Sequence, residues 1–110
     1  MVGLGNAPPA ATGPDGAAVL SLRLYVAGDG PNSMEARANL ATILGDCPDT
    51  QYELEVVDFL REPLRAMMDG VIVTPTLVRV APPPMRKIIG TLRETPTVLA
   101  ALGITGRRRA

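Results

Sequence analysis

Residues 71–90 read VIVTPTLVRVAPPPMRKIIG, and how this stretch divides into strands decides the fold. Proline has no backbone N–H to give to a ladder, so Thr74-Pro75-Thr76 interrupts the β-branched run, and a strand is expected only after it, over Thr76 to Val80. Pro82, Pro83 and Pro84 then form a rigid connection, and Met85 to Ile89 reads as a further strand closed by Gly90. The triple proline also resembles a polyproline ligand, but with strands so close on either side it is better read as a stiff hairpin connector. The stretch therefore holds two consecutive strands.

Upstream, Val19 to Ala27 alternates, with Leu20, Leu22, Leu24 and Val26 on one face and Ser21, Arg23 and Tyr25 on the other, which is the period of a strand. Gly28-Asp29-Gly30-Pro31 breaks it. Asn32 is placed to cap a helix with Glu35 at the N3 position, an Asn version of the capping box. Ala36, Leu40, Ile43 and Leu44 then follow at helical spacing, and Gly45 is the stop. Tyr52 to Phe59 alternates again, but Glu53 and Glu55 charge one of its faces, which suits a sheet edge better than a centre. Pro63 opens a short helix, with Leu64, Met67 and Met68 as its apolar stripe and Gly70 as its end. Downstream, Thr95-Pro96 opens a last helix through Leu102, with Gly103 as its stop. The order β-α-β-α-β-β-α is that of a thioredoxin-like α/β fold with a four-stranded mixed sheet, the first strand inside and the second at an edge.

Composition narrows the chemistry. The chain has 110 residues, 46% hydrophobic and 20% charged, with 11 basic and 11 acidic side chains, no histidine, one cysteine and no tryptophan. Balanced charge gives no global field toward nucleic acid or an anionic membrane, and a patch made by Arg86, Lys87 and the terminal arginines is too slight to change that. Counting alone excludes a histidine-dependent triad, a His or Cys metal cage, a haem histidine and a Cys-x-x-Cys redox pair. Glycine and proline together make about 20% of the chain against an ordinary 12%, and seven of them lie in residues 1–18. That stretch, with one charge and no hydrophobic period, is expected to be a disordered tail. It has no basic start or apolar core of a signal peptide, and no segment has the length of a membrane span. Residues 105–110 carry Arg107, Arg108 and Arg109 and read as a basic tail. A single domain over residues 19–104, in a cytoplasmic protein, is the expectation.

A thioredoxin-like fold does its redox chemistry where the first helix begins, with a proline facing it ahead of the third strand. Those places correspond to Gly28 to Ser33 and to Pro75, which is cis or trans with equal weight on this reading. No cysteine stands at the helix start. Cys47 follows the helix C-terminus, where the dipole disfavours a thiolate, and reads as a packed thiol. Gly28-Asp29-Gly30 lacks the third glycine and the Gly-Lys-Ser/Thr of phosphate loops and reads as a tight turn. Glu53, Glu55 and Asp58 read as solvated edge charges and not as an acid–base pair. No cofactor, metal or catalytic residue is implied.

Particular residues carry more than the pattern does. Leu22-Arg-Leu-Tyr-Val-Ala-Gly28, Pro31-Asn-Ser33, Val57-Asp58, Thr74-Pro-Thr-Leu77 and above all Pro82-Pro-Pro-Met-Arg-Lys-Ile-Ile-Gly90 resemble the KaiB family of circadian clock proteins and their bacterial relatives. The resemblance implies a non-enzymatic binding protein that docks on a hexameric KaiC-type ATPase and recruits or displaces regulatory partners. A clock histidine kinase whose sensor domain shares the fold is among those partners. It implies a partner-binding edge at Tyr52, Glu53, Leu54, Glu55, Val56, Val57 and Asp58, and a second state, a ground-state homotetramer with the second half of the chain rearranged. The apolar runs Val71 to Val80 and Ile88 to Ile89, able to serve as helix or strand, suit such a rearrangement. The extension of about 18 residues and the Arg-rich end depart from the clock members, and point as well to a stress-signalling role with a KaiC-type partner. The competing class is a thiol-dependent enzyme of the thioredoxin or glutathione fold using Cys47.

Overall fold

The first strand, β1 (Leu20–Val26), buries Leu20, Leu22, Leu24 and Val26 on one face and Tyr25 on the other, with Ser21 and Arg23 partly buried, as suits a central strand. A computed structural model describes residues 19–104; the tails expected at 1–18 and 105–110 lie outside the described residues. After β1 come α1 (Pro31–Gly45), β2 (Tyr52–Asp58), α2 (Pro63–Met68), β3 (Thr76–Ala81), β4 (Arg86–Ile89) and α3 (Thr95–Leu102). The sheet runs β2-β1-β3-β4, with β1 and β2 parallel and the other two pairs antiparallel. The β1–α1–β2 crossover accounts for the parallel pair and the Pro82–Pro84 connector for the hairpin of β3 and β4.

The two faces of β1 seed two cores. Leu20, Leu22, Leu24 and Val26 pack with Ala36, Leu40, Ile43 and Leu44 of α1, Leu77 of β3, and Val98 and Leu102 of α3. Removing one such leucine side chain costs about 2–5 kcal/mol. On the other face Tyr25, Val57 and Val78 meet Ala66 of α2 and Val71, a smaller cluster.

Three local expectations are corrected. Gly30, not Asn32, is the N-cap of α1, and no side chain caps it. Pro31, with its fixed φ, takes the first helical position and leaves Asn32 exposed inside the first turn. Glu35 pairs instead with Arg93, through both carboxylate oxygens. In α3 the N-cap is Glu94, one residue before Thr95. The third correction concerns α2, where Leu64, Met67 and Met68 are 70%, 70% and 85% exposed and Ala66 is the buried residue. A helix of six residues is placed here by polar anchors at Arg65 and Asp69 and by the close approach that alanine allows, so its apolar stripe turns outward. Gly70 (φ 72°) ends α2 in a Schellman motif, with the Gly70 N–H on the Met67 carbonyl at 3.0 Å and the Val71 N–H on that of Ala66 at 2.8 Å.

Arg79 was read only as part of a strand. Its side chain is buried, donates to the Pro84 carbonyl at 2.8 Å and lies by the C-terminal end of α3, near Gly103. It ties the proline run to the sheet, and its charge suits the negative end of the helix.

Candidate protein-docking edge

The position of a redox site comes first, because the fold provides one. Tyr25 pairs with Thr76, so Pro75 sits at the end of β1 from which the chain turns into α1. The Thr74–Pro75 peptide is cis, as are Ala81–Pro82 and Pro83–Pro84. Where a nucleophile would stand, Ser33 is buried and its hydroxyl accepts the Ala27 N–H at 3.1 Å. Cys47 is 1% exposed, beyond the C-terminus of α1. The turn at Gly28 to Gly30 borders an open depression lined by Asp29, Arg37, Val56, Asp58 and Arg61, whose charges balance and favour no anion.

What the fold leaves open is β2. It has β1 on one side and nothing on the other among the described residues. The Leu20 N–H reaches the Gln51 carbonyl at 2.9 Å, and the Phe59 N–H reaches the Val26 carbonyl at 2.7 Å. Strand alternation then turns the odd-numbered residues' backbone groups inward and aims the N–H and C=O of Tyr52, Leu54 and Val56 away from the sheet, whereas the Asp58 carbonyl accepts the Arg61 and Glu62 N–H groups at 3.1 and 2.9 Å. Five of its seven residues are exposed, with Val57 fully buried and Asp58 partly so. Tyr52, Leu54 and Val56, on the α1 side of the sheet, keep 44%, 38% and 40% of their surface because α1 does not extend over them.

The α2 side of the edge is braced by charge. Both Nη atoms of Arg65 donate to Glu55, each at 2.6 Å, the bidentate geometry that makes such pairs strong. Arg23 lies 3.5 Å from the same carboxylate and donates to Asp69 at 2.8 Å. The Tyr25 hydroxyl donates to Asp69 at 2.6 Å and lies 3.1 Å from the Arg65 carbonyl. Burial, then the hydrogen bond to Asp69, push the Tyr25 hydroxyl up to about 12. The Arg65 guanidinium holds Glu55 below its ordinary range, and Arg65 is raised in return. Sequence reading took Glu55 for a free surface charge. Its partner Arg65 lies 10 residues on, across a turn whose path no periodicity reveals.

A match to the KaiB domain spans residues 23–104. The chain belongs to the KaiB family. It is 47% identical over 83 residues to the circadian clock oscillator protein KaiB of Gloeothece citriformis, covering 76% of this chain and 78% of that protein. It is 41% identical over 83 residues to the circadian clock protein KaiB3 of a Synechocystis species, covering 76% and 81%. In three dimensions it is similar to the N-terminal domain of SasA from Synechococcus elongatus (TM-score 0.65, 23% identity, 92% of this chain and 94% of that one). It is also similar to oxidized mitochondrial thioredoxin 3 from Saccharomyces cerevisiae (TM-score 0.62, 18% identity, 76% of each chain). Both likenesses bear on fold alone. The KaiB member described here has the thioredoxin-like architecture without a thiol at the start of its first helix.

Proposed function

We propose that this KaiB-family chain is a non-enzymatic, cytoplasmic regulatory protein that docks on a KaiC-type hexameric ATPase and, through the open edge of β2, recruits or displaces a further protein in clock or stress signalling. The observation that carries the reading is the edge itself, a seven-residue strand with outward backbone groups and an exposed apolar row. A segment added there gains main-chain hydrogen bonds for affinity and side-chain contacts for selectivity. Relatives named circadian clock oscillator proteins support the regulatory setting. A histidine kinase whose sensor domain has the same fold is a natural competitor for the ATPase. The buried position of Cys47 speaks against the thiol enzyme, since a reactive thiol needs access and a setting that favours the thiolate.

Pull-down of the full chain with the KaiC-type ATPase of the same organism, with and without ATP, tests the first half of the proposal. Nucleotide-dependent retention is expected, and no retention in either condition overturns it. Peroxide or disulfide turnover that disappears in Cys47→Ser would establish the enzyme in its place.

A further inference from the structure

We propose that the β2 edge selects an extended strand of another protein that sets a lysine or arginine opposite Glu53, between two apolar residues, and that it disfavours a second copy of this chain. The inference rests on the edge reading above and specifies its occupant.

The two glutamates of the edge share a face but not a circumstance. In register, the β1 neighbour of Glu55 is Arg23 and that of Glu53 is Ser21. Glu55 is therefore satisfied from inside the molecule, by Arg23 and by both arms of Arg65. Serine offers Glu53 no counter-charge, and among the described residues Glu53 has neither an ion pair nor a side-chain hydrogen bond. A shallow depression lined by Ser21, Arg23, Glu53 and Glu55 leaves room beside it for a long side chain. An incoming strand thus meets one carboxylate that no counter-charge among the described residues answers. On the opposite face it meets Tyr52 and Leu54 on either side of Glu53, which ask for apolar neighbours. Cross-strand pairs of opposite charge stabilise a sheet and like charges directly opposite destabilise it.

The same rule decides against a second copy. Full antiparallel overlap of two β2 strands sets Glu55 opposite Glu55 of the copy. Slipping by one face-preserving step, so that Leu54 meets Leu54, sets Glu53 opposite Glu55 twice. Parallel pairing through this same edge turns the copy over and sets its glutamates against the apolar row of Tyr52, Leu54 and Val56. The apolar row invites self-pairing, and the glutamates oppose it.

Two labelled synthetic peptides, identical except for the centre of a Val-Lys-Val or Val-Glu-Val segment, can be titrated into the full chain and followed by its amide NMR signals. The lysine peptide should bind about fivefold more tightly, shift the amides of residues 52–58, and lose its advantage in high salt. Glu53→Lys should reverse the preference, whereas Glu55→Gln should keep it. Equal binding of the two peptides, or equal effects of the two substitutions, overturns the charge reading while leaving the edge intact. Binding of neither peptide overturns the edge and this inference with it. A concentration-dependent dimer that Val56→Pro abolishes overturns the exclusion of a second copy.

Discussion

The sheet has two edges, and they are built to opposite specifications. At one side, β4 spans four residues, starts with Arg86 and Lys87 just after the Pro82–Pro84 run, and closes at Gly90 with φ 116°. Lys87 donates to the Gly70 carbonyl, and Arg79 holds Pro84. Short length, positive charge and nearby proline are the usual ways in which a sheet blunts an edge against stray pairing. At the other side, β2 is seven residues long, carries no proline and exposes Tyr52, Leu54 and Val56. The contrast teaches that one fold can blunt one of its sheet edges and leave the other open. At β2 the charges on the described strand are the glutamates Glu53 and Glu55 and the terminal Asp58, and the proposed role of the two glutamates is to discourage copies without blocking a different chain.

The largest expected effect separates the inside of β2 from its outside. Val57 is fully buried, with its N–H turned to β1, so Val57→Pro should cost about 3 kcal/mol or more and leave the domain largely unfolded. Val56 is 40% exposed, with its N–H turned outward, so Val56→Pro should keep a cooperative unfolding transition and lose partner capture. Urea denaturation of both variants, with capture from the ATPase assembly, checks the pair. Equal destabilisation would erase the distinction between the two sides of the strand, and undiminished capture by folded Val56→Pro would show that the edge is not used.

A smaller effect is expected where α2 is braced behind the edge. Tyr25→Phe removes the bond to Asp69 and should cost about 1–2 kcal/mol at pH 8. Because folding raises the hydroxyl to about 12, its contribution is complete below the unfolded value near 10 and fades as pH rises from there toward 12. The stability gap between wild type and Tyr25→Phe should therefore narrow across that alkaline window, and a gap that widens would contradict the assigned bond.

Smallest of all should be Glu55→Gln. The pair with Arg65 is half-exposed and screened, so about 0.5 kcal/mol is expected at neutral pH. Folding lowers the Glu55 carboxyl, so its contribution is present above the unfolded value near 4.3 and is lost as pH falls through the lower folded value. Below that range the variant and the wild type should unfold alike. The matched change at the blunted edge, Arg86→Gln, should leave both stability and capture as they were.

Much of this was legible along the chain. Alternation in β1 and β2, the prolines that bound β3 and the hairpin, and the Ala36–Leu40–Ile43–Leu44 face of α1 depend on neighbours at short range, and a period of two or of 3.6 reports them. Charge on one face of β2 was enough to send it to an edge. Three local readings failed: Pro31 pre-empted the cap given to Asn32, Glu94 took the cap position before Thr95, and the apolar residues of α2 were turned inward although Ala66 is the one that packs. A proline that fixes φ decides where a helix starts, and in a helix of six residues polar anchors outweigh the apolar pattern.

By itself, then, the sequence determined the order of elements, the central and edge strands, the residues of the main core and the absence of a redox thiol at the first helix, because these follow from local pattern and from counting. Only the tertiary structure decided that Arg65 returns across 10 residues to hold Glu55, that Tyr25 reaches Asp69, and that Glu53 faces Ser21 and not Arg23 across the ladder. Those facts depend on which side chains the packed sheet and α2 bring within hydrogen-bonding distance, and that distance is set by the fold as a whole.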